Sequence, residues 1–342
     1  MTTSNARERK VPGTKFYRGQ DPISIRNLYG EIKLFCGSAS RELGHQICEY
    51  LGIEAGDYER FQFSNENIFT QLRESVRGQD VFVVQSMATP NLHDNIMELL
   101  ILLDTIKRDS AARITAVIPY LAYSRSDKKD QPRVPITARL LAEMIQIAGA
   151  DRYITIDLHS GQIQGFFRVP GDVLTAFYLL SDHLADLRIE NAVICTTDLG
   201  FAKRARGYAS RLGLPLAFVE KRRRTNLERP ELMALIGEVK GKNVILVDDE
   251  VNTAGSVENA VGVVQEHGAK DVYLAFTHPI LSTGGVDRLR KLPFKAIITT
   301  NTVPIPAEKL LPNMAVLSVA PLLAEVIIRS HEGRSVGALF DE

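Results

Sequence analysis

From Glu31 onward the chain is built of short runs that are apolar throughout, each followed by a segment with helical spacing. Ile32–Cys36, Val81–Gln85, Ile114–Ile118 and Tyr153–Ile156 read as strands, with Leu92–Ile106 and Ile136–Ile147 as helices between them. The rhythm restarts after Gly171. Ala192–Cys195, Leu216–Val219, Val244–Val247, Val272–Phe276 and Ala296–Thr299 are strand candidates, and Phe201–Leu212, Ser256–His267 and Leu322–Ser330 the intervening helices. A strand without polar alternation must be covered on both faces, which calls for parallel sheets with crossover helices. The reading is an α/β chain of two tandem domains with parallel sheets flanked by helices, residues 31–174 and 175–330. An extension, 1–30, precedes them, and a tail, 331–342, is expected to pack back on the N-terminal domain. In such sheets ligands sit beyond the carboxyl ends of the strands.

Composition bounds the partners. Lysine plus arginine equals aspartate plus glutamate, 41 each, so the formal charge is zero. That balance argues against a nucleic-acid coat or a basic membrane-surface protein, and any anion site must be local. No apolar run approaches the roughly 18 residues of a membrane span. The first 30 residues are polar and lack the apolar stretch of a secretory signal. Cys36, Cys48 and Cys195 are scattered in apolar contexts and odd in number, which reads as buried free thiols in a reducing compartment. The expected location is cytoplasmic.

Chemistry concentrates after Val244–Val247, where Asp248-Asp249-Glu250-Val251-Asn252 leads into Thr253-Ala254-Gly255-Ser256 and a helix. A helix start with small residues offers backbone N–H groups, two hydroxyls and the positive end of the dipole to a phosphate dianion. The two aspartates cannot bind phosphate as well. They suit sugar hydroxyls or a metal ion. The bland alternative is an acidic turn with a helix cap at Ser256.

This segment resembles the phosphoribosyl-diphosphate motif of type I phosphoribosyltransferases. Further segments narrow the likeness: Phe63-Ser-Asn65, Glu74-Ser-Val-Arg-Gly78, the charged run Tyr123–Asp130 with Pro132-Arg133, Asp157-Leu-His159 through Phe167, Lys221-Arg-Arg-Arg224, Thr277-His278 and Asn301-Thr302. Together they resemble the ribose-phosphate diphosphokinase family, also called phosphoribosyl diphosphate synthases, in order from about residue 31 to Phe340. The resemblance implies two phosphoribosyltransferase-like domains. It implies transfer of the β,γ-diphosphoryl group of ATP to the 1-hydroxyl of ribose 5-phosphate, giving AMP and 5-phosphoribosyl 1-diphosphate. It also implies Mg2+ and hexamers built from dimers.

Carried over residue by residue, the likeness makes Lys221 and Arg223 the transition-state stabilisers. ATP contacts fall to Phe63, Asn65, Asn67, Arg125, Ser126, Asp127, Lys128, Asp130 and His159, with Phe63 and Asn65 reaching into a neighbouring subunit. Asp248, Asp249, Asn252, Thr253, Ala254, Gly255 and Ser256 match the ribose 5-phosphate site. Asp198, Gly200, Lys203 and Arg204 match a diphosphate loop, and His159 and Asp198 are associated with the metal. Catalysis of this kind needs positioning and cationic clamps more than covalent chemistry.

Five positions depart from the family pattern. Asn252 replaces an aspartate, Asn67 an adenine-contacting glutamate (with Glu66 at a usual glycine), Ser126 a glutamine, Phe201 a glycine, and Arg168 an aspartate. None removes Lys221, Arg223, His159 or the Asp248/Asp249 pair. Two other classes compete: a catalytically weak paralogue that regulates an active synthase, and an ordinary phosphoribosyltransferase. No G-x-x-x-x-G-K-[ST] sequence and no strand-linked G-x-G-x-x-G supports another nucleotide fold.

Overall fold

The computed structural model describes residues 29–197, 199–222 and 232–340. The extension before Tyr29 therefore lies outside the described residues. The N-terminal part runs β1 (Ile32–Cys36), α1 (Arg41–Leu51), β2 (Tyr58–Gln62), β3 (Ile68–Leu72), β4 (Asp80–Val84), α2 (Leu92–Arg108), β5 (Arg113–Ile118), α3 (Thr137–Ala148), β6 (Arg152–Ile156) and β7 (Gly171–Leu174). The C-terminal part continues with α4 (Phe177–Asp186), β8 (Ala192–Thr196), α5 (Ala202–Leu212), β9 (Leu216–Arg222), β10 (Leu232–Ile236), β11 (Asn243–Val251), α6 (Gly255–Glu266), β12 (Val272–Pro279), α7 (Gly285–Lys291), β13 (Phe294–Thr300), β14 (Met314–Leu317) and α8 (Ala320–Glu332).

Among the described residues the strands form two main sheets and a hairpin. The first sheet is parallel throughout, in the order β1-β4-β5-β6-β7. The second has the order β10-β9-β8-β11-β12-β13-β14 and is parallel except where β10 pairs antiparallel with β9. Antiparallel β2 and β3 stand apart as the hairpin. In the second sheet the chain order reverses between β8 and β11, which opens a crevice at their carboxyl ends.

Side chains along each strand alternate between two apolar layers. In β4, Val81 and Val83 face an outer layer filled by α2 and α3, whereas Phe82 and Val84 face the molecular centre. In β11, Val244 and Leu246 face a second outer layer covered by α6 and α7, while Ile245 and Val247 face the same centre. That central layer is one continuous core contributed by both sheets and by α1, α4, α5 and α8. Helix α8, late in the chain, packs on α1, and Tyr50 of α1 donates to Glu325 at 3.0 Å.

Further contacts tie the C-terminal end to early strands. Arg113 forks onto the buried Asp80 and also donates to the Ser330 carbonyl at 3.0 Å, and His331 meets Asp80 at 2.8 Å. Beyond α8, Phe340 stacks on Tyr178 of α4, whose hydroxyl donates to the Phe340 carbonyl at 3.0 Å. The three cysteines are free and buried. No helix among the described residues is long and apolar enough to cross a membrane.

Candidate active site

Strand β11 runs on past its apolar Val244–Val247 to Val251, so all three acids of Asp248-Asp249-Glu250 stand on the strand end itself. Each side chain meets a different segment. Thr197, just past β8, donates to the Asp248 carboxylate at 2.5 Å, bridging the crevice where the sheet order reverses. Asp249 meets Nδ1 of His159 at 2.7 Å. Glu250 pairs with Nε of Arg125 and accepts the Tyr120 hydroxyl at 3.4 Å. His159 follows β6 and Arg125 follows β5, so the acids of one sheet close against strand ends of the other.

These partners divide the charges. Burial and the neighbouring Asp249 charge push the Asp248 carboxyl up, with Thr197 pulling the other way. Asp249 is buried too, but the His159 contact, the charge it carries and a hydrogen bond from Asp248 outweigh burial and hold its pKa below the usual carboxylate range. His159 is raised above the ordinary imidazole value by its bond to Asp249, against the opposing effect of burial. Two adjacent carboxyls in one pocket do not ionise together easily. The surroundings therefore push the pair apart, Asp249 toward the carboxylate beside His159 and Asp248 toward the protonated form.

Asp157, at positive φ beyond β6, is a joint rather than an open ligand. Its carboxylate accepts the Thr175 hydroxyl at 2.9 Å, the Ala176 N–H at 3.0 Å and the Thr277 hydroxyl at 2.8 Å. Its carbonyl meets His278 Nε2 at 3.1 Å, and the other nitrogen of His278 meets Thr302 at 2.9 Å. Thr277, His278 and Thr302 thereby fasten the two sheets beneath the cleft.

The start of α6 offers uncapped donors. Ala254 occupies the N-cap in the left-handed region at φ 59°, and no side chain caps the helix. The first-turn N–H groups are thus left for a ligand or water. The cap at Ser256 considered in the sequence is not formed. Arg288 of α7 donates to the Thr253 carbonyl at 2.9 Å and lies 3.5 Å from Glu258, flanking this turn. The Asn252 Oδ1 atom is buried with no hydrogen-bond partner among the described residues.

The Tyr123–Asp130 segment is anchored better than its mixed charge suggested. Leu121, Ala122 and Asp127 are buried, Gln162 donates to Asp127, and Ser126 caps the start of α3 through Thr137 and Ala138. Lys128 and Asp130 are exposed. Arg204 donates to the Leu158 carbonyl at 2.9 Å and sits 3.6 Å from Asp157, while Lys203 faces solvent. Phe201 lines a cavity of about 590 Å³ with Tyr178, Tyr208 and Phe340. Arg168, the charge reversal, is exposed, and its N–H bonds Gln146.

Phe63, Asn65 and Asn67 sit at the tip of the β2–β3 hairpin, where the Phe63 N–H meets the Asn67 carbonyl at 2.9 Å and Asn65 accepts from the Asn67 N–H at 3.2 Å. Phe63 is 49% exposed beside Phe61 and Phe69. Within one chain, no hydrogen bond or ion pair among the described residues joins this tip to the acidic strand end. Strand β9 continues past Val219 to Arg222, so Lys221 lies inside the strand opposite Met233 rather than after it. Asp198 and Arg223 lie outside the described residues. Sequence reasoning missed Thr197, Tyr120, Arg288 and Glu250 as parts of the site. Only Glu250 carried a signal, standing next to the aspartate pair.

The fold and cleft define an α/β protein of two parallel sheets with an acidic strand end and an uncapped helix start between them. A family model described as the N-terminal domain of ribose phosphate pyrophosphokinase matches residues 32–149, and one described as the phosphoribosyl synthetase-associated domain matches 222–341. A ribose-phosphate pyrophosphokinase of Rhodopirellula baltica is 46% identical over 314 residues, covering 91% of this chain and 99% of that protein. One of Campylobacter jejuni is 46% identical, covering 90% and 98%. The crystal structure of phosphoribosylpyrophosphate synthetase from Mycobacterium smegmatis superposes with a TM-score of 0.83 at 42% identity, over 89% of this chain and 100% of that one. The chain belongs to the ribose-phosphate pyrophosphokinase family, and its two halves are phosphoribosyltransferase-like.

Proposed function

We propose that this protein is an active ribose-phosphate diphosphokinase that transfers the β,γ-diphosphoryl group of ATP to the 1-hydroxyl of ribose 5-phosphate. The observation that carries this reading is the meeting of His159 and Asp249 across the two sheets, directly beside the uncapped start of α6. One sheet presents the acceptor and the other the donor, so both substrates share a single cleft. Helix α6 and Thr253–Ser256 take the 5-phosphate, with Asp248 and Asp249 beneath the sugar hydroxyls. Arg125, Ser126, Asp127, Lys128, Asp130 and His159 take the triphosphate. Asp198, Gly200, Lys203 and Arg204 form the diphosphate loop, and Lys221 and Arg223 neutralise charge as the 1-oxygen attacks the β-phosphorus and AMP departs. Phe63, Asn65 and Asn67 complete the adenine pocket from a neighbouring subunit, which accounts for the exposed aromatic tip of the hairpin. The working assembly is a cytoplasmic homo-oligomer, a hexamer built from dimers, with no nucleic-acid or membrane partner.

Magnesium fits as an ion that arrives with the triphosphate. No cluster of three or more His, Cys, Asp or Glu among the described residues could cage a metal. Mg2+ ordinarily takes one or two carboxylates plus phosphate oxygens and keeps several waters. Asp249, with His159 beside it, would supply that limited protein share, and Asp198 is the further metal partner that the family likeness implies. When bound, the ion draws charge off the phosphoryl oxygens.

The test is direct. Purified protein given ATP, Mg2+ and ribose 5-phosphate is expected to form AMP and 5-phosphoribosyl 1-diphosphate in equal amounts, and Lys221→Ala to lower turnover far more than sugar-phosphate affinity. Binding of both substrates without AMP formation would favour the regulatory-paralogue reading instead.

A further inference from the structure

Glu250 is a buried acid that the reaction as described does not use. Its side chain is 3% exposed, on the rigid end of β11, where its backbone pairs with His278. One carboxylate oxygen pairs with Nε of Arg125 and the other accepts the Tyr120 hydroxyl. Tyr120 is itself held by its ring packing against His278, with centroids 5.0 Å apart. The carboxylate is therefore fixed from the strand, from the tyrosine and from the arginine at once.

The geometry of the arginine gives this arrangement a purpose. The Arg125 side chain is 60% exposed, and its contact with Glu250 is through Nε. Among the described residues Nη1 and Nη2 make no hydrogen bond. A guanidinium held by Nε keeps its two terminal nitrogens free and fixes their plane, the fork that matches two oxygens of a phosphate. An exposed arginine without such a tether would lose rotamer freedom on each binding event.

We propose that Glu250 is a positioning residue, which orients the Arg125 fork toward the anionic phosphates of the nucleotide. The inference rests on the reading of Arg125 as a triphosphate contact. Glu250 touches neither substrate nor metal. It acts through Arg125 and is held by Tyr120, and its value lies in arranging the donors before the nucleotide arrives.

The experiment uses full-length protein with ATP, Mg2+ and ribose 5-phosphate. Glu250→Ala is expected to raise KM for ATP about tenfold while changing KM for ribose 5-phosphate little. Glu250→Gln keeps an acceptor for Nε in the same volume and should recover most of that loss. Arg125→Ala should raise KM for ATP as well, and adding Glu250→Ala to it should cost little more. If Arg125→Ala leaves KM for ATP unchanged, the triphosphate reading of Arg125 is wrong. If Arg125→Ala raises it but Glu250→Ala does not, that reading stands and the positioning role of Glu250 is overturned. The positioning role also fails if Glu250→Ala costs as much without Arg125 as with it, or if Glu250→Gln is as damaging as Glu250→Ala.

Discussion

Asp248 and Asp249 are neighbours on one strand end, yet their surroundings drive them apart. The histidine beside Asp249 favours its charge, while burial and that charge push Asp248 toward the protonated form against the Thr197 hydroxyl. The raised Asp248 has a definite sign in stability. A carboxyl whose folded pKa lies above its unfolded value weakens the fold progressively as pH rises from the acidic carboxylate range through the folded pKa. Asp248→Asn removes that titration, so its advantage over wild type in thermal unfolding should be larger at about pH 8 than at about pH 5. An advantage that does not grow with pH would mean that Asp248 ionises as readily in the folded protein as in the unfolded chain.

At the scale of the element, the β2–β3 hairpin turns through Glu66 at φ 68°, in the left-handed region that favours glycine. A non-glycine residue there costs about 1 kcal/mol. Glu66→Gly should raise the unfolding free energy from denaturant titration by about 1 kcal/mol, and a fall would mean that the Glu66 side chain does more than turn the chain. The long parallel strands were legible because burial on both faces leaves an unbroken apolar run, as in Ile114–Ile118 and Val244–Val247. The hairpin was not, because β2 (Tyr-Glu-Arg-Phe-Gln) and β3 (Ile-Phe-Thr-Gln-Leu) are half exposed and mix polar or charged residues with aromatics. The short edge strands β7 and β14 and helix α7 carry too few residues to show a period. The site was legible where its residues are contiguous, at Asp248–Ser256 and Asp157–His159. It was hidden where partners come from distant segments: nothing near Arg125 in sequence announces Glu250, and nothing near Thr253 announces Arg288.

Over the whole molecule, the central core makes the two halves one folding unit. Leu34, Phe82 and Ile154 of the first sheet share it with Ile194, Ile245 and Ile298 of the second, and α8 fills the space between. Leu323 of α8 is fully buried there. Leu323→Ala should cost about 2–5 kcal/mol. It should also speed amide exchange in β4 of one half and β11 of the other alike. Faster exchange confined to β11 would show that the halves unfold separately.

The return of α8 onto α1 also orders events during synthesis. Helix α1 leaves the ribosome long before α8, and its apolar stripe of Leu43, Ile47 and Cys48 is ready at once, but the helix that covers it is made only when synthesis reaches Ala320–Glu332. At translation rates of about 5–20 residues per second the stripe stays uncovered for many seconds. Such long-range closure is slow, and an exposed apolar face on a half-made chain invites association with other nascent chains. Until α8 has emerged, that face is open to any holdase that binds exposed apolar surface.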